Sequence, residues 1–204
     1  MEVLNKLMPL LMALVMSVNL SGCGNRAGAE SGQSETTVST STVTDENGNK
    51  VATAADFSKV TICGTEFTMP CKASDFKGDF YVDTKSEKWN QFSICYKDTP
   101  VAILKFDEDI EKVNLKKHNP NSIFLFEDSH YNINGFTDDM DSNQLIQYFG
   151  EPNECLTDDN GIITSAKYNI NDNATKIETV IISKIKPVSE DSRYHVFISF
   201  RGDK

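Results

Sequence analysis

The chain has 204 residues, 39% hydrophobic and 25% charged, with five cysteines and a formal net charge of −10. That apolar share can build a core and excludes a wholly disordered chain, while the length allows one domain or two small ones. An excess of 30 acidic over 20 basic residues repels a phosphate backbone, so no nucleic-acid partner is expected.

The chain opens with Lys6 as a sparse basic start, then runs apolar from Leu7 to Val18 with only Pro9 and Ser17 as interruptions. This run is too short to span a bilayer comfortably, and Leu20-Ser21-Gly22-Cys23 follows it at once. The tetrapeptide resembles the lipobox of bacterial lipoproteins at all four positions. The resemblance implies that residues 1–22 are a signal peptide recognised through Leu20, Ser21 and Gly22. It further implies that Cys23 receives a diacylglyceryl group and, after cleavage, becomes an acylated, palmitate-type lipid anchor in the bilayer. Glu2 offsets Lys6 and leaves the basic region weakly charged; the other reading is an ordinary secretory signal with a chance cysteine. Acyl chains gain about 0.8 kcal/mol per buried methylene, so several on one residue anchor stably without a membrane helix. The chain is thus expected on the extracytoplasmic face of the cell membrane. Gly24 after the cysteine does not suggest retention at an inner membrane, and the number of membranes of the host stays open.

Residues 23–56 read as the anchor and a Ser/Thr-rich tether. From residue 24 to 56 there is no aromatic residue, Leu or Ile, so little apolar surface offsets the entropy of ordering. A coil of that length reaches roughly 30 Å. Asp45-Glu46-Asn47-Gly48 begins like a calcium loop but lacks the later ligands, and reads as a turn in a linker.

Strand signals dominate from Phe57 onward. Val60-Thr61-Ile62 and Phe67-Thr68-Met69 flank Cys63-Gly64-Thr65-Glu66, a tight hairpin. Pro70 ends it, Cys71 to Lys77 reads as a short helix closed by Gly78, and the polar run Asp83 to Asn90 as a loop. Phe92, Ile94 and Tyr96 alternate as a strand, and Val101 to Phe106 forms the next. Val113-Asn114-Leu115, Ile123 to Phe126 and Tyr131-Asn132-Ile133 are shorter candidates.

Met140 to Pro152 carries helix grammar: Asp141 as the cap, Gln144 reaching back in a capping box, Met140 and Leu145 as staple, Gly150 and Pro152 as the exit. Leu145, Ile146 and Phe149 share its apolar face. Three strands follow, Ile162 to Ile170, Lys176 to Ile185 and Tyr194 to Phe200, the last with Tyr194, Val196, Ile198 and Phe200 on one face. The expected fold is α+β, short helices packed on antiparallel sheets. It divides into an N-terminal strand-rich lobe over 57–134 and a helix plus three-stranded lobe over 135–204.

Gly135-Phe136, Met140, Leu145-Ile146 and Gly150-Glu151-Pro152 before the strands resemble the helix–Gly-x-Pro–strand module of β-lactamase-inhibitor-like and SmpA-like lipoproteins. Val60-x-Ile62-x-Gly64 and Phe67-x-Met69-Pro70 are similar to lipoproteins common in clostridia. These resemblances imply extracytoplasmic, non-enzymatic protein binding on a sheet face, and carry over no contact residue.

With Cys23 acylated, Cys63, Cys71, Cys95 and Cys155 permit one or two disulfides in three complete connectivities, or buried unpaired thiols. If one bridge forms, Cys63 with Cys95 is the expected pair, since both sit within strands of the first lobe. The cysteine spacings match no zinc pattern and His118, His130 and His195 are scattered, so no metal or other cofactor is expected. His195 alternates with the apolar face of the last strand and is expected to point outward. Adjacent carboxylates such as Asp138-Asp139 face opposite ways in a strand and form no acid/base pair by proximity. Asp139-x-Asp141-x-Asn143 begins like an EF-hand loop, but Gln144 stands where Gly is required and Gly150 where the bidentate Glu belongs. Trp89 is the one side chain expected to contact a partner if exposed; the competing reading folds it over Phe80, Tyr81 or Phe92 as a lid of the core.

The expected function is therefore that of a lipid-anchored, non-enzymatic module that binds a protein or envelope component. The alternatives are an envelope hydrolase or accessory with a site assembled from acidic loop residues, and an inhibitor of an extracellular enzyme.

Overall fold

The computed structural model describes residues 43–88, 90–107, 118–170, 175–184 and 194–201, all within a single unit. Among the described residues, twelve strands fall into two antiparallel sheets, accompanied by two short α-helices. The fold is mostly β, which corrects the α+β expectation. The helix expected over Cys71 to Lys77 shrinks to one 3₁₀ turn, Ala73–Asp75. Asp83 to Lys88 of the expected polar loop form the last six residues of a nine-residue strand.

The smaller sheet contains β1 (Lys59–Ile62), β2 (Thr65–Thr68), β7 (Asn132–Ile133) and β8 (Phe136–Thr137) in the order β2-β1-β7-β8. The larger sheet has eight strands. Its first half holds β3 (Phe80–Lys88), β4 (Gln91–Tyr96), β5 (Thr99–Lys105) and β6 (Ser122–Leu125). Its second half holds β9 (Glu154–Thr157), β10 (Ile163–Asn169), β11 (Ile177–Lys184) and β12 (Tyr194–Phe200). The order is β3-β4-β5-β6-β12-β11-β10-β9. Val196 pairs with Leu125, Phe197 with Phe124, Ile198 with Ile123 and Ser199 with Ser122. This seam makes one sheet of the two expected lobes, so segments 57–134 and 135–204 share a sheet rather than forming tandem units.

Register explains why the sheet buries one face. One cross-strand row reads Val82, Ile94, Ala102, Leu125, Val196, Ile182, Ala166 and Cys155 through all eight strands, without a polar side chain. The neighbouring row points the other way, as the pleat requires. It reads Asp83, Ser93, Ile103, Phe124, Phe197, Ile181, Lys167 and Glu154, polar at both ends and apolar in the four central strands. The fully apolar face joins the smaller sheet and the helices in one core with Val60, Ile62, Ile133, Leu145 and Phe149.

Helix α1 (Ala54–Phe57) and helix α2 (Ser142–Phe149) meet through stacked Phe57 and Phe149 rings, with centroids 4.7 Å apart. Helix α2 begins as the sequence predicts: the Gln144 N–H donates to the Asp141 carboxylate, and the Asp141 N–H donates to the Gln144 side-chain oxygen. Satisfying two otherwise orphaned N–H groups explains the start of this helix.

Residues 43–56 correct the tether. A Thr44–Lys50 bridge closes a turn on which the Asp45 carboxylate accepts from the Asn47 and Asn49 N–H groups at 2.9 and 2.8 Å. Lys50 then donates to the Tyr148 carbonyl at the end of α2 and lies 3.5 Å from Asp56. Asp56, buried, accepts from the Thr53 N–H and hydroxyl at 2.8 Å and from the Asn134 amide at 2.9 Å. The strap has few apolar groups, and polar bonds at a buried carboxylate fix it instead. Gly150 has φ +78°, and a Cβ there would stand 1.8 Å from the Lys50 carbonyl oxygen, so only glycine lets the strap cross the helix end.

Replacing Asp56 with Ala leaves buried donors without an acceptor and is expected to cost about 2–4 kcal/mol. Urea unfolding measures it; a loss near zero would mean that the strap is held by something else.

Candidate functional site

Three turns converge beside the start of β5. The β1–β2 hairpin turns at Cys63-Gly64, with φ of 47° and 81°, and the β4–β5 hairpin at Lys97-Asp98, with φ of 46° and 70°. Two left-handed residues in a two-residue loop match the right-handed twist of the flanking strands. The third is the 3₁₀ turn Glu127–Ser129, which His130 closes at φ 42°. The Cys63 N–H donates to the Ser129 carbonyl at 2.8 Å, and its thiol lies 3.4 Å from that same oxygen.

The cluster thus gathers a thiol, carboxylates, an ammonium and a phenol. Lys97 lies 3.4 Å from Asp79 with its ammonium 5.0 Å from the Tyr96 ring centre, and the Tyr81 hydroxyl donates to Asp98 at 3.2 Å. The Cys95 sulfur and the Asp98 carboxylate both hold the phenol proton, which pushes Tyr81 up to about 12. Burial raises the Cys63 thiol further than its charge neighbours do; Asp128 adds to the rise and Lys97 offsets part of it. Burial also raises Cys95, with the Tyr81 hydrogen bond opposing. Cys71, in the core, is pushed up to about 12, first by burial and then by Asp75. All three are therefore thiols at neutral pH, and a thiol is a poor nucleophile.

Cys63, Cys71 and Cys95 are free, which corrects the expected Cys63–Cys95 bridge. Cys63 occupies a turn of the smaller sheet with its sulfur directed at backbone carbonyls. Cys95 sits within β4 of the larger sheet, opposite Tyr81. A shared lobe in the sequence is not a shared strand pair.

His195 corrects another expectation. It lies opposite the Tyr194–Val196 face, as alternation predicts, yet it is 9% exposed. Its ring stacks on Phe124 at 5.8 Å and 13°, and its Nδ1 is buried with no hydrogen-bond partner. Beside it the Tyr194 N–H donates to the Asp138 carbonyl at 3.2 Å, and the Tyr131 hydroxyl donates to the Tyr194 carbonyl at 3.0 Å. Neither bond is visible in the sequence, because Asp138 and Tyr131 lie far along the chain from Tyr194.

Leu20, Ser21, Gly22 and Cys23 lie outside the described residues, as do Trp89 and the strand expected at Val113-Asn114-Leu115. Asp141 spends its carboxylate on the helix cap and Asp139 accepts from the Thr137 hydroxyl. Among the described residues no group of three or more His, Cys, Asp or Glu could hold a metal ion, and no helix is long and apolar enough to cross a membrane. No family model, curated protein or solved structure matches the chain.

In the native protein at pH 7.5, an aromatic disulfide reagent is expected to label Cys63 at least about tenfold more slowly than a small free thiol and to leave Cys71 untouched. Peptide mass spectrometry distinguishes the sites; a Cys63–Cys95 disulfide peptide would overturn the free-thiol assignment.

Proposed function

We propose that the chain is a lipoprotein anchored through acylated Cys23 on the extracytoplasmic face of the cell membrane, where its β domain binds a protein or envelope component without catalysing a reaction. The observation that carries the anchor is the Leu20-Ser21-Gly22-Cys23 tetrapeptide directly after the apolar run. A non-enzymatic role is supported by the state of the candidate nucleophiles. The described thiols are held protonated, and His195, buried on Phe124, stands away from solvent. Binding is supported by the three-turn cluster, in which Lys97 and Asp98 stand on a hairpin turn, Lys97 beside Asp79 before β3 and Asp98 beside Tyr81 within β3. The net charge of −10 favours a neutral or cationic partner over an anionic one.

Substitution of Cys23→Ala in the native host is expected to abolish palmitate labelling and move the protein from the membrane to the secreted or soluble fraction. Persistence of the variant in the membrane fraction would overturn the lipid anchor.

A further inference from the structure

The β6–β12 seam starts next to His195. The first rung pairs Val196 with Leu125, and His195 itself stands opposite Ser183 of β11. Its ring is stacked on Phe124, one residue from Leu125, and is buried. Neutral imidazole suits that place, because one ring nitrogen then needs no donor partner. An imidazolium is a donor at both nitrogens, and Nδ1 has no acceptor. A buried ionised donor without a partner is strongly unfavourable.

We propose that His195 is an acid-sensitive latch on the β6–β12 seam: neutral, it packs on Phe124 and lets the start of β12 pair; protonated, it frees that end of the strand. Among the described residues, the elements around it supply few compensating charges. Phe124 of β6 and Ser183 of β11 carry none. Lys184, the next residue of β11, keeps its ammonium 4.7 Å from the Tyr194 ring centre. Asp138, after β8, and Asp128, in the 3₁₀ turn, attract a proton to His195, but burial outweighs both and holds the imidazole below its ordinary value of 6.5.

The sign follows from that direction. The folded form resists the proton that the opened form accepts, so the latch holds fully above pH 6.5. It weakens as pH falls below 6.5 towards the lowered folded value. Opening would carry Tyr194 with it. That breaks its N–H bond to the Asp138 carbonyl and the Tyr131 bond to its own carbonyl, the polar link from the start of β12 to the segment before β7.

Hydrogen exchange read by mass spectrometry on the full chain between pH 7.5 and 5.5 tests this, with each rate divided by the intrinsic rate at that pH. Protection of β12 and β6 amides is expected to fall by up to about tenfold per pH unit below 6.5. The β3–β4 hairpin should hold, and the loss should reverse on return to pH 7.5. His195→Phe keeps a ring on Phe124 without a titrating proton and is expected to abolish the selective loss. An unchanged pH response in that variant, or an equal loss in all strands of the natural chain, would overturn the latch. Should His195→Phe not fold, His195→Gln is judged by the same criterion.

Discussion

The pairing of β6 with β12 is the constraint on which the architecture rests. Four rungs join Ser122–Leu125 to Val196–Ser199, across a loop whose closure is entropically unfavourable. Without them, each half of the larger sheet would expose an additional edge of unpaired backbone groups. The join is favoured because both halves present apolar rows in matching register. Leu125 meets Val196 and Ile123 meets Ile198, all four with no exposed surface. A slip of one residue would carry those side chains to the opposite face and bring Phe124 and Phe197 into the core.

Around that seam, three buried tyrosines tie separate elements together through their hydroxyls. Tyr131 donates to the Tyr194 carbonyl, Tyr194 to the Ile163 carbonyl and Tyr168 to the Gly150 carbonyl. Each ring fills core volume while its polar tip donates to a backbone carbonyl distant in sequence. Burial drives all three phenols up, Tyr194 to about 12, so they remain donors at any physiological pH. The strap over residues 43–56 adds a fourth tie, centred on Asp56. The described fold therefore includes residues upstream of Phe57.

The proposed binding role draws on where the reactive and the charged side chains sit. Burial raises the Cys63, Cys71 and Cys95 thiols and His195 is buried on Phe124, whereas Lys97 and Asp98 stand on a hairpin turn. Rigid strands presenting polar turns suit recognition, since little loop entropy is lost on contact. The proposed anchor would hold such a surface near the membrane, and a latch at His195 would let external acidity act on the same sheet.

Local grammar was readable wherever neighbours in sequence are also neighbours in space. Asp141 and Gln144 cap a helix three residues apart, and Cys63-Gly64 closes a two-residue turn; neither needs a distant partner. The Asn134-Gly135 turn between β7 and β8 carries a comparable local signal. The polar stretch from Asp83 to Lys88 reads as a loop, yet β3 is an edge strand, where polar residues are tolerated. The strap misled because a composition poor in apolar residues says nothing of Lys50, Asp56, Asn134 and Gly150 converging. By itself the sequence determined the lipobox resemblance, the turns, the cap of α2 and the alternation of its strongest strands, all set by contacts within a few residues. Only tertiary structure decided that two runs of strands form one sheet, that Cys63 and Cys95 stay apart, and that His195 is buried. Those outcomes depend on register and burial between residues far apart in the chain, which local pattern cannot encode.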